Sequence, residues 1–450
     1  MLRRKCNMIY IYLPIAILTI VIWMSSNVYI QAGCFILLYI ICLLSIDFDI
    51  SHPYVWFIPM FTLYTIGYPL MHQHGYYAIL PNCGYVKANA NTVFIHWCAL
   101  CTFIITVSNK QVTYKKTYYY KMNRTLIKGI TVMLIGILCI QFLTVLQSGF
   151  QTKREILDGL SRNIFFRLGK IANQLLPIFA ALFIADPTIR KKQKIVWISS
   201  ITFISFSEMV IVGERSAFIQ ILIVELLAYN IVINKVNLKG AFIAAFFLLA
   251  LIIIGVSLKA SFGKNQNFVH LLSEDPLWVK LFNAEFSSAS VNTTNILNHR
   301  NLWSYGFGLK YLLLIFIPFN FKPLSGILKL LGFEGLFAIS DNSLWYHDRI
   351  LTGAKSGYGF SMVADGYMEL GILGVIILYV ILGLIIKKTY KKSADSMLGL
   401  VFYIVLVPIF IYSTRATLLY FTNYVIKYIL LPVIMLSVFK VYKKGYLFRE

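Results

Sequence analysis

The chain reads as an all-α polytopic membrane protein of about 12 transmembrane helices. Apolar residues make up 59% of its 450 positions and charged ones only 13%, about half the roughly 25% typical of a soluble domain. Apolar stretches of about 18 residues or more, long enough to cross a bilayer, recur from end to end. The 41 Lys and Arg fall in short clusters between these stretches. That distribution marks cytoplasmic loops and argues against a nucleic-acid surface, despite a net charge of +23.

In order, the predicted spans are 9–25, 27–46, 53–71, 91–108, 125–147, 169–185, 195–213, 216–233, 241–258, 361–386, 396–413 and 417–439. Arg3, Arg4 and Lys5 resemble the basic start of a signal peptide. No small-residue cleavage site follows the first apolar run, so it is read as an uncleaved first helix. Segments 1–8, 109–128, 186–194, 234–240, 387–395 and 440–450 hold 3, 6, 4, 2, 4 and 4 basic residues, 23 of the 41. Their density places them, and both termini, in the cytoplasm. The other side receives 72–90, 148–168, the Gly213–Ser216 turn, the 259–360 loop and the Ser413–Ala416 turn.

Seven cysteines are present: Cys6, Cys34, Cys42, Cys83, Cys98, Cys101 and Cys139. Cys98 and Cys101 have CxxC spacing, but they lie mid-helix with no second pair and read as small core residues. Only Cys83 falls in a predicted outer loop, so no disulfide is supported on that side. HExxH, Walker A and GxGxxG motifs and metal-ligand clusters are lacking, so no metal or cofactor is expected.

The loop at 259–360 is the one long stretch that a membrane cannot hold. Uncommitted loops are short, and this one carries Lys264, His270, Glu274, Asp275, Lys280, Glu285, His299, Arg300, His347, Asp348, Arg349 and Lys355. Within it, 309–319 is apolar but too short to span, and 324–337 is amphipathic. The loop is therefore read as a lid of short interfacial helices with the site beneath it.

Two constellations carry chemistry. The outer side is rich in Arg at helix ends and in loops: Arg154, Arg162, Arg167, Arg215, Arg300, Arg349 and Arg415. Positive-inside logic disfavours them there, so each needs another reason. Guanidinium is planar and permanently charged, which suits a diphosphate. Singly, each is explained as well by a snorkelling or salt-bridged helix end. The second constellation opens the tenth span, where Ser361, Asp365 and Glu369 are spaced to share one helix face. Carboxylates at a membrane edge are costly unless paired or facing an aqueous cavity. One of them suits a general base for a sugar hydroxyl, the other an orienting group; ion pairing with outer Arg is the plain alternative. Glu208, Glu225 and Lys427 are intramembrane charges best explained by pairing, and His299 and His347 place imidazoles beside cations. Lys355 and Glu285 are further candidates to contact substrate.

From Gly213 to Ser216, from Trp303 through Gly306 to Pro318, from Ser361 through Asp365, Glu369 and Gly371 to Gly374, and at the lone Arg415, the chain resembles the Wzy-type oligosaccharide repeat-unit polymerases. The resemblance covers roughly 195–440 in motif order. It implies a GT-C-like membrane glycosyltransferase of the bacterial cytoplasmic membrane. Such an enzyme joins undecaprenyl-diphosphate-linked repeat units into O-antigen, capsular or exopolysaccharide outside the cytoplasm. On this reading Arg215, Arg300, Arg349 and Arg415 are expected to share diphosphate binding, Asp365 or Glu369 to position or deprotonate the acceptor, and Asp365, Glu369 and Arg215 to be the catalytic set. It also implies a flippase and a chain-length regulator as partners. The family often has Glu where this chain has Asp365, so which carboxylate is the equivalent acid stays open.

Two rivals share the outer cations. A lipid-linked oligosaccharide flippase would divide charge between repeated halves, and no such repeat is visible. An O-antigen ligase would share both the long outer loop and the outer Arg.

Overall fold

The computed structural model describes residues 2–80, 83–108, 120–122, 124–149, 153–186, 189–212, 215–236, 240, 250, 276, 278–279, 282, 286–306, 342–351, 359–438 and 442–444. These residues are nearly all helical. A helix covers every predicted span except the ninth, most of which lies outside the described residues. Six helices are long and apolar enough to cross a membrane: Val28–Ser45, Ala90–Val107, Thr125–Ser148, Ile164–Ala185, Ser216–Ile233 and Ile372–Ser393. The chain is thus a multi-pass helical membrane protein.

Contacts divide it into two compact units. The first holds Met1–Gln111, Trp278–Lys388 and Ile409–Ile426. Its first four helices are α1 (Leu2–Met24), α2 (Val28–Ser45), α3 (Pro53–Gln73) and α4 (Ala90–Val107). Local chemistry starts each of the last three. Asn27 caps α2 through Tyr29 N, His52 caps α3 with Pro53 behind it, and Asn89 caps α4 through Asn91 N. Between α3 and α4 lies a short hairpin of β1 (Ile79–Leu80) and β2 (Gly84–Tyr85). The core is aromatic: Phe57 stacks on Phe410 and packs tilted against Phe103, and Trp97 packs edge-on against Phe35.

The second unit holds Val112–Leu277, Thr389–Pro408 and Lys427–Glu450. It contains α5 (Arg124–Ser148), α6 (Lys153–Leu160), α7 (Ile164–Ala185), α8 (Lys191–Val212) and α9 (Arg215–Ala228). Helix α9 continues as a π-helical turn, Tyr229–Ile233. Helices α5 and α7 approach closely at Gly169, where a Cβ would overlap the Gln141 side chain. Glu225 on α9 accepts a hydrogen bond from Thr202 on α8, at 2.5 Å. A neutral hydroxyl thus meets Glu225, where the sequence suggested an ion pair. Strands β3 (Tyr120–Met122) and β4 (Tyr442–Lys444) pair antiparallel.

The long loop contributes an element that the sequence reading did not expect. Helix α10 (Ser288–Asn298) lies in the first unit, packed on α3 and α4. Ser290, Asn292, Thr293, Thr294 and Asn295 are all buried. A polar helix is costly inside unless its groups are bonded, and several here are. Thr294 bonds Thr92 at 2.9 Å, Thr293 bonds His96 at 3.0 Å, and Ser290 accepts from Tyr68 N at 3.2 Å. Gly67 makes the approach possible, since a Cβ there would stand 2.7 Å from the Phe286 carbonyl oxygen. Segments 309–319 and 324–337, expected as interfacial helices, lie outside the described residues.

Candidate functional site

The tenth predicted span is broken. Helix α11 (Asn342–Arg349) comes before it; α12 (Met362–Leu370) and α13 (Ile372–Ser393) replace the single helix expected from 361. Gly371 makes the break, with φ +64. The two halves then pack on each other through glycine: a Cβ on Gly374 would overlap the Gly366 carbonyl oxygen, and one on Gly366 would meet Val375 Cα at 3.0 Å. Ser361 caps α12, accepting from Ala364 N at 3.3 Å and from Thr293 Oγ1 at 2.8 Å. The buried polar helix α10 is thereby tied to the helix that bears the carboxylates.

Asp365 and Glu369 do share a face, and both are buried. Asn342 on α11 joins them: its Nδ2 donates to Asp365 Oδ1 at 2.6 Å and to Glu369 Oε1 at 3.3 Å. Asp365 Oδ2 accepts from Leu418 N at 2.9 Å, at the start of α15. Here α14 is Met397–Ser413 and α15 is Leu418–Val425. The turn between them is held against the segment entering α12, because Phe360 N donates to Arg415 O at 3.0 Å and Met362 N to Thr414 O at 3.2 Å. Arg415 is thereby fixed beside the start of the carboxylate helix. Its guanidinium lies 5.2 Å from the Tyr412 ring centre.

The Trp303–Gly306 segment runs along α12. Gly306 N donates to Met368 O at 3.0 Å. A Cβ on Gly306 would stand 2.6 Å from Glu369 Oε2, which explains why glycine occupies this place. Gly306→Ala is expected to push the Glu369 carboxylate aside and sharply reduce activity with little loss of protein. Normal activity in that variant would show that the position of Glu369 is immaterial.

Arg300 follows α10 and turns back over its own aromatic shelf. Its guanidinium carbon lies 4.2 Å from the ring centres of both Trp303 and Tyr305, and Nη1 donates to Trp303 O at 2.5 Å. Tyr305 and Trp303 in turn contact Tyr367 on α12. Behind them, Tyr346 on α11 accepts from Asn295 Nδ2 at 3.0 Å. Burial pushes the Tyr346 phenol up, only partly opposed by that bond, so it stays a neutral hydroxyl.

The arrangement gathers some of the expected residues. Asp365, Glu369, Arg300 and Arg415 all lie in the first unit on interlocking segments. His299 is there too, with Nδ1 bonded to Asn295 O at 2.9 Å. Arg349 ends α11 and is exposed. Arg215 opens α9 in the second unit. Lys355 and Glu285 lie outside the described residues. Among the described residues no group of three or more His, Cys, Asp or Glu stands together as a metal-ligand set.

Set beside known protein families, residues 7–445 match the O-antigen polysaccharide polymerase Wzy family. The chain belongs to that family. Curated proteins and solved structures give no match. Wzy membership implies O-antigen repeat-unit polymerisation, and it agrees with the multi-pass helical fold. In this Wzy-family chain the Trp303–Gly306 and Ser361–Gly374 motifs are brought into direct contact.

Two contributors were missed from sequence. Asn342 bridges both carboxylates, yet no spacing links it to them. The 288–298 helix reads as a solvated stretch because it is rich in Ser, Thr and Asn. Its one legible signal is the lack of any charged residue from Phe286 to Asn298.

Proposed function

We propose that this chain polymerises undecaprenyl-diphosphate-linked oligosaccharide repeat units on the outer face of the bacterial cytoplasmic membrane. In this reading it crosses the bilayer 12 times, with both termini in the cytoplasm. Donor and acceptor are both lipid-linked; a flippase delivers them, and a chain-length regulator acts alongside. The observation that carries the reading is the meeting of Asp365 and Glu369 on Asn342, on the same framework that holds Arg300 and Arg415.

The reaction needs three things. An acceptor sugar hydroxyl must lose its proton as its oxygen attacks the donor's anomeric carbon. The bond from that carbon to the diphosphate oxygen must break. The departing undecaprenyl diphosphate must have its charge matched. Asp365 has both oxygens engaged, by Asn342 and by Leu418 N, which suits an anchor. Glu369 is then the group that takes the proton. Arg300 and Arg415 face the developing charge on the diphosphate, the largest electrostatic demand of the step. Arg215, through its Gly213–Ser216 motif, and Arg349, as one of the outer-side Arg, are assigned to diphosphate binding, and His299, Lys355 and Glu285 to substrate contacts.

The test is deletion of the chain followed by electrophoresis of the surface polysaccharide. A ladder collapsed to single capped repeat units supports the polymerase. Complete loss of surface glycan would instead indicate a flippase. Polymer persisting on its lipid, unattached, would indicate a ligase.

A further inference from the structure

Beside the carboxylate site, on the hairpin between α3 and α4, lies a cluster of aromatic rings with no part in the chemistry above. Tyr77 is 51% exposed and Tyr85 66%. Their rings meet at right angles, 5.9 Å between centres, and His72 packs edge-on against Tyr77 at 4.9 Å. An isolated two-stranded hairpin is marginal in water, so this one is held by what lies under it. Leu80 and Val86 are buried in one cluster with Trp303, Phe360, Ala364 and Met368. Trp303 belongs to the Arg300 shelf, and Ala364 and Met368 to the carboxylate helix. Cys83 Sγ reaches Ile350 O at 3.5 Å, just past α11. The hairpin is thus fastened to all three parts of the candidate site by one face, and it presents two tyrosines on the other.

We propose that Tyr77 and Tyr85 form a glycan-binding subsite that holds a sugar of the repeat unit on the outer face of the hairpin, whose inner face packs on the carboxylate helix. The inference rests on the polymerase reading for its ligand class. A pyranose presents a face of C–H groups, slightly positive, that packs on the negative face of an aromatic ring. Its rim hydroxyls find partners in phenol and imidazole groups, which Tyr77, Tyr85 and His72 supply. Aromatic residues at a bilayer surface also anchor helices. Such anchors sit at helix ends, as Tyr29 does at the start of α2. Tyr77 and Tyr85 lie beyond the end of α3 at Gln73, on the hairpin. A subsite there would set which sugar is accepted without taking part in proton transfer.

The experiment uses the full chain in detergent and a fluorescently labelled soluble oligosaccharide of one repeat unit, released by mild acid from the host's lipid-linked pool. Tyr77→Ala with Tyr85→Ala is expected to weaken binding about tenfold, the size expected when two aromatic contacts are lost. Tyr77→Phe with Tyr85→Phe keeps the rings and is expected to retain most of the affinity. Equal binding by the alanine pair overturns the proposal, as does absence of binding by the unsubstituted chain. A fall in membrane retention with unchanged glycan affinity also overturns it and marks the rings as bilayer anchors. If the unsubstituted chain binds the oligosaccharide yet makes no polymer from lipid-linked units, the polymerase reading fails and the subsite stands. If polymer forms and the alanine pair binds normally, the subsite fails and the polymerase reading stands.

Discussion

Glu369→Gln is expected to lower polymerisation by about 10²- to 10⁴-fold, the range for loss of a general base, with the protein level unchanged. Asp365→Asn is expected to lose folded protein as well. The contrast follows from the hydrogen bonds. Asp365 accepts on both oxygens, from Asn342 Nδ2 and from Leu418 N. An asparagine offers one carbonyl oxygen and one NH₂, so one of those donors would face another donor. A buried donor left unmet costs about 1–3 kcal/mol, and here it would loosen the start of α15 beside Arg415. Glu369 accepts from Asn342 Nδ2 at Oε1, an acceptor that a glutamine carbonyl reproduces at the same place. Size is kept while the proton acceptor is gone. Immunoblots of membranes and polysaccharide gels separate the two outcomes. Full-length polymer from Glu369→Gln would remove Glu369 from proton transfer. A well-folded but inactive Asp365→Asn protein beside it would pass the role to Asp365.

Helical class and multi-pass character were legible because apolar run length and the placement of Lys and Arg are local properties of the chain. The carboxylate pair was legible for the same reason: residues spaced by four on a helix share a face, and Asp365 and Glu369 do. Gly371 was harder. A glycine-rich stretch in an apolar run suggests close packing, and Gly366 and Gly374 supply it. The same stretch hides a break, because whether a glycine adopts φ +64 depends on what packs against it. The buried helix 288–298 was illegible for a different reason. Several of its polar groups bond Thr92, His96 and Tyr68, nearly two hundred or more positions away, and nothing within 288–298 announces those partners. The outer Arg set divides on the same principle. The aromatic neighbours of Arg300 are three and five residues along, so its shelf lies within a readable window. The surroundings of Arg415 depend on backbone pairing with Phe360 and Met362.

That division sets the second large effect, at the cations. Arg415→Ala is expected to cut polymerisation by about 10²- to 10³-fold, the usual effect of removing one preorganised group facing developing charge. Single capped units should still appear, and the same pattern is expected for Arg215→Ala. The backbone bond from Phe360 N to the Arg415 carbonyl is kept in the alanine variant, and immunoblots of membranes check that the protein level holds. Arg300 gives the finer test. Its guanidinium lies against two rings and is anchored to Trp303 O. Arg300→Lys keeps the charge but loses the guanidinium's contact with the two rings, which contributes about 0.5–2 kcal/mol. If Arg300 serves the diphosphate from a fixed position, Arg300→Lys should raise KM for the lipid-linked donor and lower kcat, and Arg300→Ala should do more of both. If charge alone mattered, lysine would restore activity. If the shelf were only structural, Arg300→Ala would reduce protein level and leave the kinetics of the remainder unchanged. Arg349, exposed at the end of α11, lacks such a fixed setting among the described residues, and Arg349→Ala is expected to have the mildest effect of the four. A ranking with Arg349 first and Arg415 last would overturn the assignment of the diphosphate to the framework around Asp365 and Glu369.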